Sequence, residues 1–362
     1  MAWYHINHPE SVASPGLLVY PDRIKSNIQE MLRVAGNADR LRPHVKTYKC
    51  REIVALQMAA GIKKFKCATI AEAEMLALCG VGDILLAYQP AGPNANRYVD
   101  LMQEFPDIVF SALVDNIATA QTINQLASDK QIRIGLFIDL DVGMHRTGVQ
   151  PGPEFLELKE YLQNSSNLIF RGLHIYDGHI RNFEIEDRKR VVAEAFDSLA
   201  SMIEADNDIE IVAGGSPTFP VHALNPRFNL SPGTCLLWDQ GYSQGFPDQR
   251  FLHAAILICR VISMPAKNML CLDLGHKAVA SEMPHPRVYF PELDQVEFIS
   301  QSEEHLVIRL KETSGFNIGD VVYAIPMHIC PTTALHQEMV VIEEGNVVDR
   351  WKVFARDRRI TF

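Results

Sequence analysis

The sequence holds no uninterrupted apolar run of bilayer-spanning length, so no transmembrane helix is expected. Its first residues, MAWYHINHPE, offer neither a basic flank nor an apolar stretch, which argues against a secretory signal. Cysteine is sparse, with seven in 362 residues, and the odd number shows no CxxC spacing. That argues against a disulfide framework and for reduced thiols in a cytoplasmic protein, most of them small buried hydrophobes. Basic residues are outnumbered, 34 Lys and Arg against 44 Asp and Glu, and the net charge of −10 makes nucleic acid an unexpected partner. Internal repeats, linkers and low-complexity segments are also missing. What remains is a globular composition, 47% hydrophobic and 22% charged, long enough for two domains or one large barrel with an appendage.

The first two thirds alternate short apolar runs with helical patterns. KKFKCAT, DILLAY, residues 108–114, RIGLFIDLDVG, LIFRGLHIYDG and IEIVAGGS read as strands, and residues 184–205 as one long amphipathic helix. Repeated strand–helix units predict parallel strands with crossover helices, and their number suits a (β/α)8 TIM-type barrel. After about Pro232 strand-like runs follow one another between Gly, Pro, Asn and Asp, which predicts a mostly antiparallel β domain. The expected division is a barrel over residues 1–231 and a β domain over 232–362, with the N-terminal residues able to pack on the latter.

Four polar motifs, HVK, DVGMHRTG, HIYDGH and GGSPTF, follow strands, on the rim where barrel active sites lie. In RPHVKTYK a lysine at a strand mouth can form a Schiff base if burial supplies a free amine; Pro43 and His44 constrain the turn and favour Lys46 over Lys49. A solvated basic turn is the plain alternative. In DLDVGMHRTG two glycines bracket Arg146, a donor for an anionic oxygen or simply a solvated turn residue. In HIYDGH, His174 reads as a core residue satisfied by backbone, whereas Tyr176 and His179 read as functional. GGSPT and SPGT, with Ser216, Thr218, Gly233 and Thr234, are turns able to cradle a phosphate. In PMHICP, His328 and Cys330 alternate between two prolines. Extended backbone is expected there, with imidazole and thiolate on one side and room left on a metal for substrate. A buried cysteine with a nearby histidine is the alternative.

In this order the motifs resemble the metal-activated pyridoxal-phosphate enzymes, the group of D-threonine aldolase and eukaryotic-type D-serine dehydratase, related to alanine racemase. The resemblance runs from about Pro15 to Val353. It implies a fold-type III barrel with a C-terminal β domain, and Lys46 as the residue that holds pyridoxal 5'-phosphate. It implies Arg146 facing the cofactor's phenolic oxygen, and Gly233 and Thr234 at its phosphate with Ser216 or Thr218 assisting. It also implies His328 and Cys330 as ligands of a divalent metal, zinc first, with manganese or magnesium as alternatives. Where alanine racemase has an arginine against the pyridine nitrogen this chain has Ser231, and Tyr176 resembles the neutral hydroxyl that replaces it. The implied activity is that of a lyase on D-3-hydroxy amino acids. The dehydratase version is weakly favoured because His-x-Cys resembles it; Lys46 would take the α-proton. The alternative is retro-aldol cleavage, with His179 as base. A non-catalytic carrier of pyridoxal phosphate would have no use for the His328/Cys330 pair. A homodimer is expected, with no membrane or nucleic-acid partner.

Overall fold

In this computed structural model, residues 2–204 and 208–362 are described. The chain forms two compact units. One comprises Met1–Gln29, Thr47–Glu52 and Thr234–Arg356; the other comprises Glu30–Lys46, Ile53–Gly233 and Asp357–Phe362. The chain therefore passes between them at Gln29–Glu30, Lys46–Thr47, Glu52–Ile53, Gly233–Thr234 and Arg356–Asp357.

The strand β1 (Gly16–Val19) belongs to the first unit. The second unit is built on β2 (Lys64–Cys67), β3 (Asp83–Leu86), β4 (Val109–Val114), β5 (Ile134–Leu140), β6 (Leu168–Ile175), β7 (Glu210–Ala213) and β8 (Phe228–Leu230). These pair in sequence order and all in parallel. Every residue of β5 is buried, as a parallel strand covered on both faces requires. The crossover helices begin where their sequences supply caps. Thr69 and Asn116 accept from the N–H groups of Glu72 and Thr119, and Pro93 and Pro153 open the next helices after glycines.

Residues 41–44 link the sheet's two edges. Leu41 bridges Leu230 in β8 and His44 bridges Lys66 in β2, both in parallel. The segment thus takes the place of an eighth strand and gives the expected TIM-type barrel. At the N-terminal ends of the strands the fully buried Arg42 reaches Asp83, which opens β3, at 2.7 Å, and Glu210, which opens β7, at 2.8 Å. Arg171 adds a second contact to Asp83 at 3.2 Å. Arg42, read in sequence within a chemical motif, instead closes the base of the barrel.

The single helix expected over 184–205 is two helices, Ile185–Asp197 and Ala200–Glu204. Ser198 ends the first, and the turn buries Leu199 completely. Ala205 lies outside the described residues.

The first unit continues with β9 (Ala255–Ser263), β10 (Met269–Leu272), β11 (Val288–Tyr289), β12 (Glu297–Gln301), β13 (Leu306–Arg309), β14 (Val321–Pro326), β15 (Glu338–Glu343) and β16 (Asn346–Lys352). The order is β12-β13-β10-β9-β1-β15-β16, with β14 also on β9 and β11 on β14. All pairs are antiparallel except β1 with β15. Leu18, Ile256, Ile258, Ile325 and Val340 form part of its core. No helix among the described residues is long and apolar enough to cross a membrane.

Candidate active site

The polar motifs lie past the C-terminal ends of the barrel strands. Tyr176 follows β6, Arg146 follows β5, Ser216 follows β7 and Gly233 follows β8. Tyr176 is the hub. Its ring has the Lys46 Nζ at 5.7 Å, the Arg146 Cζ at 4.9 Å and the Lys66 Nζ at 5.9 Å from its centroid. Two glycines pack against the ring. A Cβ on Gly178 would stand 2.3 Å from the Tyr176 hydroxyl, and one on Gly215 would stand 3.0 Å from the ring edge. Only bare backbone lets the phenol occupy this position.

Arg146 is presented by a loop that Asp141 organises. The Asp141 carboxylate accepts from the N–H groups of Gly143 and His145, both at 3.0 Å, and from the His145 ring at 2.8 Å. His179, the expected base, is exposed and packs against Gly143 of the same loop. Ser216 and Gly233 meet directly, the Gly233 N–H donating to Ser216 Oγ at 3.0 Å, so the two small-residue turns are joined. Thr218 is committed elsewhere: its hydroxyl donates to the buried Asp177 at 2.8 Å, and Asp177 also holds His222 at 2.6 Å. The hydroxyl of Thr234 lies 3.4 Å from Cys330 Sγ.

His174 is buried, as expected, but side chains satisfy it rather than backbone. Its Nδ1 is 2.7 Å from Asp139 and its Nε2 is 3.4 Å from Lys66 Nζ. Burial and the neighbouring Lys66 charge push His174 below its ordinary value against the pull of Asp139. Asp139 lies below the usual carboxylate range: burial opposes its charge, but hydrogen bonds from His174 and Thr147 prevail. The neutral imidazole therefore donates Nδ1–H to Asp139 and accepts from Lys66. Lys66 itself is pushed down to about 7, first by burial and then by the charge of Lys46. Sequence reading missed this lysine, because nothing local separates it from Lys63 and Lys64 beside it.

The metal pair differs from expectation in backbone form. His328 is extended (φ −141°, ψ 102°) but caps a helix, Ile329–Leu335, so Cys330 and Pro331 lie in its first turn. Proline is tolerated there because first-turn N–H groups have no intrahelical acceptor. The two side chains still interact. Burial would raise the Cys330 thiol, yet the hydrogen bond and charge of His328 hold it below its ordinary value. Burial works against the His328 charge, but Cys330 first and Glu282 next raise it to about 9. Thr47 Oγ1 is 3.1 Å from Cys330 Sγ, and Glu282 Oε1 is 2.5 Å from His328 Nδ1.

The residues present fit both expected groups. Lys46, Lys66 and Arg146 gather positive charge around a phenol seated on bare glycine backbone, which suits an anionic aromatic cofactor. Imidazole and thiol suit a zinc-like ion. Among the described residues no group of three or more His, Cys, Asp or Glu is arranged to hold a metal.

The chain is similar to several known proteins. Residues 254–342 match the model of the putative serine dehydratase domain. A D-threonine aldolase from Arthrobacter sp is 26% identical over 356 residues, covering 95% of this chain and 93% of that protein. The crystal structure of D-threonine aldolase from Filomicrobium marinum superimposes with a TM-score of 0.88 at 25% identity, over 95% of both chains. A D-threo-3-hydroxyaspartate dehydratase shares the fold, with a TM-score of 0.82 at 20% identity over 95% of this chain and 98% of the other. Its solved variants replace a histidine and, two positions on, a cysteine, the cysteine variant being in a metal-free form. Residues 19–238, more than half of this chain, match the model of the N-terminal domain of alanine racemase, and the chain belongs to that family.

Proposed function

We propose that this chain is a lyase that uses pyridoxal 5'-phosphate and a divalent metal on D-3-hydroxy amino acids. The observation that carries the reading is the partnered His328–Cys330 pair in a chain whose Lys46 and Arg146 converge on Tyr176. When bound, the cofactor supplies an electron sink for charge at Cα, and the metal supplies Lewis acidity toward a substrate oxygen. Lys46 would hold the cofactor's aldehyde carbon and move the α-proton. Arg146 would face the phenolic oxygen and Tyr176 the pyridine nitrogen. Gly233, Thr234 and Ser216 would serve the phosphate end. Since the Thr218 hydroxyl donates to Asp177, its part is to shape the GGSPT turn. His328 and Cys330 would hold the ion, zinc by preference, with exchangeable positions left for substrate.

Dehydration is the favoured outcome, because the same histidine–cysteine spacing is replaced in the dehydratase variants described above. Retro-aldol cleavage is the second reading, favoured by the full-length similarity to D-threonine aldolases. In that case His179, exposed beside Gly143, would take the hydroxyl proton. Product analysis with D-serine, D-threonine and D-3-hydroxyaspartate separates the two: a 2-oxo acid with ammonia means dehydration, glycine with an aldehyde means cleavage. Neither product from cofactor- and zinc-supplied protein would refute the reading. A cytoplasmic homodimer is part of the proposal, and an active monomer in sedimentation would contradict the dimer.

A further inference from the structure

We propose that Glu282 is the positioning residue of the metal pair, holding the Nδ1 proton of His328 so that Nε2 alone is offered to the ion. The inference rests on the metal reading above. An imidazole has two nitrogens, and the one that carries the proton is set by its hydrogen-bond partner. Here the partner is a carboxylate oxygen 2.5 Å from Nδ1, which can only accept. A histidine held this way keeps one tautomer and one ring orientation, and its ligating nitrogen becomes more basic.

Glu282 is brought there by contacts on both sides of it. On its N-terminal side the Ala280 N–H donates to Thr332 Oγ1 at 3.1 Å, and that hydroxyl donates to the His328 carbonyl at 2.8 Å. On its C-terminal side the Met327 N–H donates to the Arg287 carbonyl at 2.9 Å, and Val288 is in register with Pro326. The loop carrying Glu282 is therefore tied at both ends to residues flanking His328. The other ligand is held similarly. The hydroxyls of Thr47 and Thr234 lie 3.1 and 3.4 Å from Cys330 Sγ, where each can donate to a thiolate. The Ile329 N–H between the two ligands donates to Asp239 at 3.0 Å, which fixes the first turn of the helix.

The test is zinc affinity of the cofactor-loaded protein, measured by competition with a chromogenic chelator. Glu282→Ala should weaken zinc about 10- to 100-fold. Glu282→Gln, whose amide oxygen can still accept from Nδ1, should recover much of that loss; a merely structural role for the loop would give no such ordering. Unchanged circular dichroism would show that the variants fold. His328→Ala should abolish binding. If His328→Ala loses zinc while Glu282→Ala binds like the unaltered protein, the role of Glu282 is overturned and the metal reading stands. If the unaltered protein takes up no zinc, or His328→Ala binds it equally well, the metal reading falls and this inference falls with it.

Discussion

The buried amine of Lys66 should leave a measurable mark on stability as a function of pH. Its native value near 7 lies well below the unfolded lysine's, about 10.4. Between those two values the unfolded chain binds a proton that the native chain does not, so stability rises with pH across this window. The cost of burying the amine is fully present below about pH 7 and has disappeared above about pH 10. One pH unit within the window is worth at most about 1.4 kcal/mol. Allowing for half-protonation at pH 7, the gain from pH 7 to 9 is about 2 kcal/mol. Lys66→Met keeps an unbranched chain of similar length without the titration. The assay is urea unfolding of the cofactor-free protein and of this variant at pH 7 and pH 9, followed by circular dichroism. Loss of the Lys66 contact to His174 lowers the variant's stability at both pH values alike, so it cancels in the double difference. The variant's stability relative to the parent should fall by about 2 kcal/mol from pH 7 to pH 9. An unchanged difference at the two pH values would mean that Lys66 does not titrate in this window and that its burial is relieved in some other way.

Three further outcomes are expected. Chelation, or Cys330→Ala, should abolish lyase turnover while the visible absorbance of the Lys46-bound cofactor and the far-ultraviolet spectrum persist; Cys330→Asp should shift metal preference toward manganese. Gly178→Ala puts a methyl within 2.3 Å of the Tyr176 hydroxyl, and repacking at about 1–3 kcal/mol should weaken cofactor binding roughly tenfold or more in an absorbance titration. Arg42→Met removes the buried guanidinium shared by Asp83 and Glu210, leaving them the partly exposed Arg171 and Lys64, and should cost about 3 kcal/mol in chemical unfolding without altering the spectrum of bound cofactor.

Sequence pattern made the barrel legible because buried parallel strands need apolar residues on both faces, and β5 supplies them with Asp139 as the one charged interruption. The rim motifs were legible for the complementary reason: polar, glycine-rich stretches directly after such strands have few other uses. The eighth position of the barrel was harder to see. Pro43 contributes no N–H, so the segment 41–44 makes isolated bridges instead of a ladder and carries no strand-length run. Lys66 was hidden by its own strand. In KFKC the alternation suggests lysines facing water, yet Lys66 points into the barrel, where His174 and Asp139 from β6 and β5 receive it. Partners far away in sequence decide that orientation. Glu282 was hidden in the same way, in a proline-containing loop whose course is set by its tethers to Met327 and Thr332.

The His328–Cys330 pair shows how two side chains can meet although the local argument that paired them was incomplete. Two residues apart on a strand share a face, and extended backbone was inferred from Pro326 and Pro331. In the structure the strand ends at Pro326, and the backbone turns helical after His328. Two apart within a helix would place the side chains on nearly opposite sides. They meet because His328 is the N-cap. An N-cap keeps extended dihedrals, and its side chain reaches over the first turn toward the second and third helical residues. Cys330 is the second of these. Pro331 is the third, and it has no N–H for the cap to satisfy, so the imidazole is left to Cys330 and Glu282. The free N–H of Ile329 is taken by Asp239. The His328 side chain makes no cap hydrogen bond and is left to Cys330 and Glu282, and a cysteine in the first turn has its thiolate favoured by the helix N-terminus. The proline that argued for extended backbone is therefore part of what lets a short helix present the same pair.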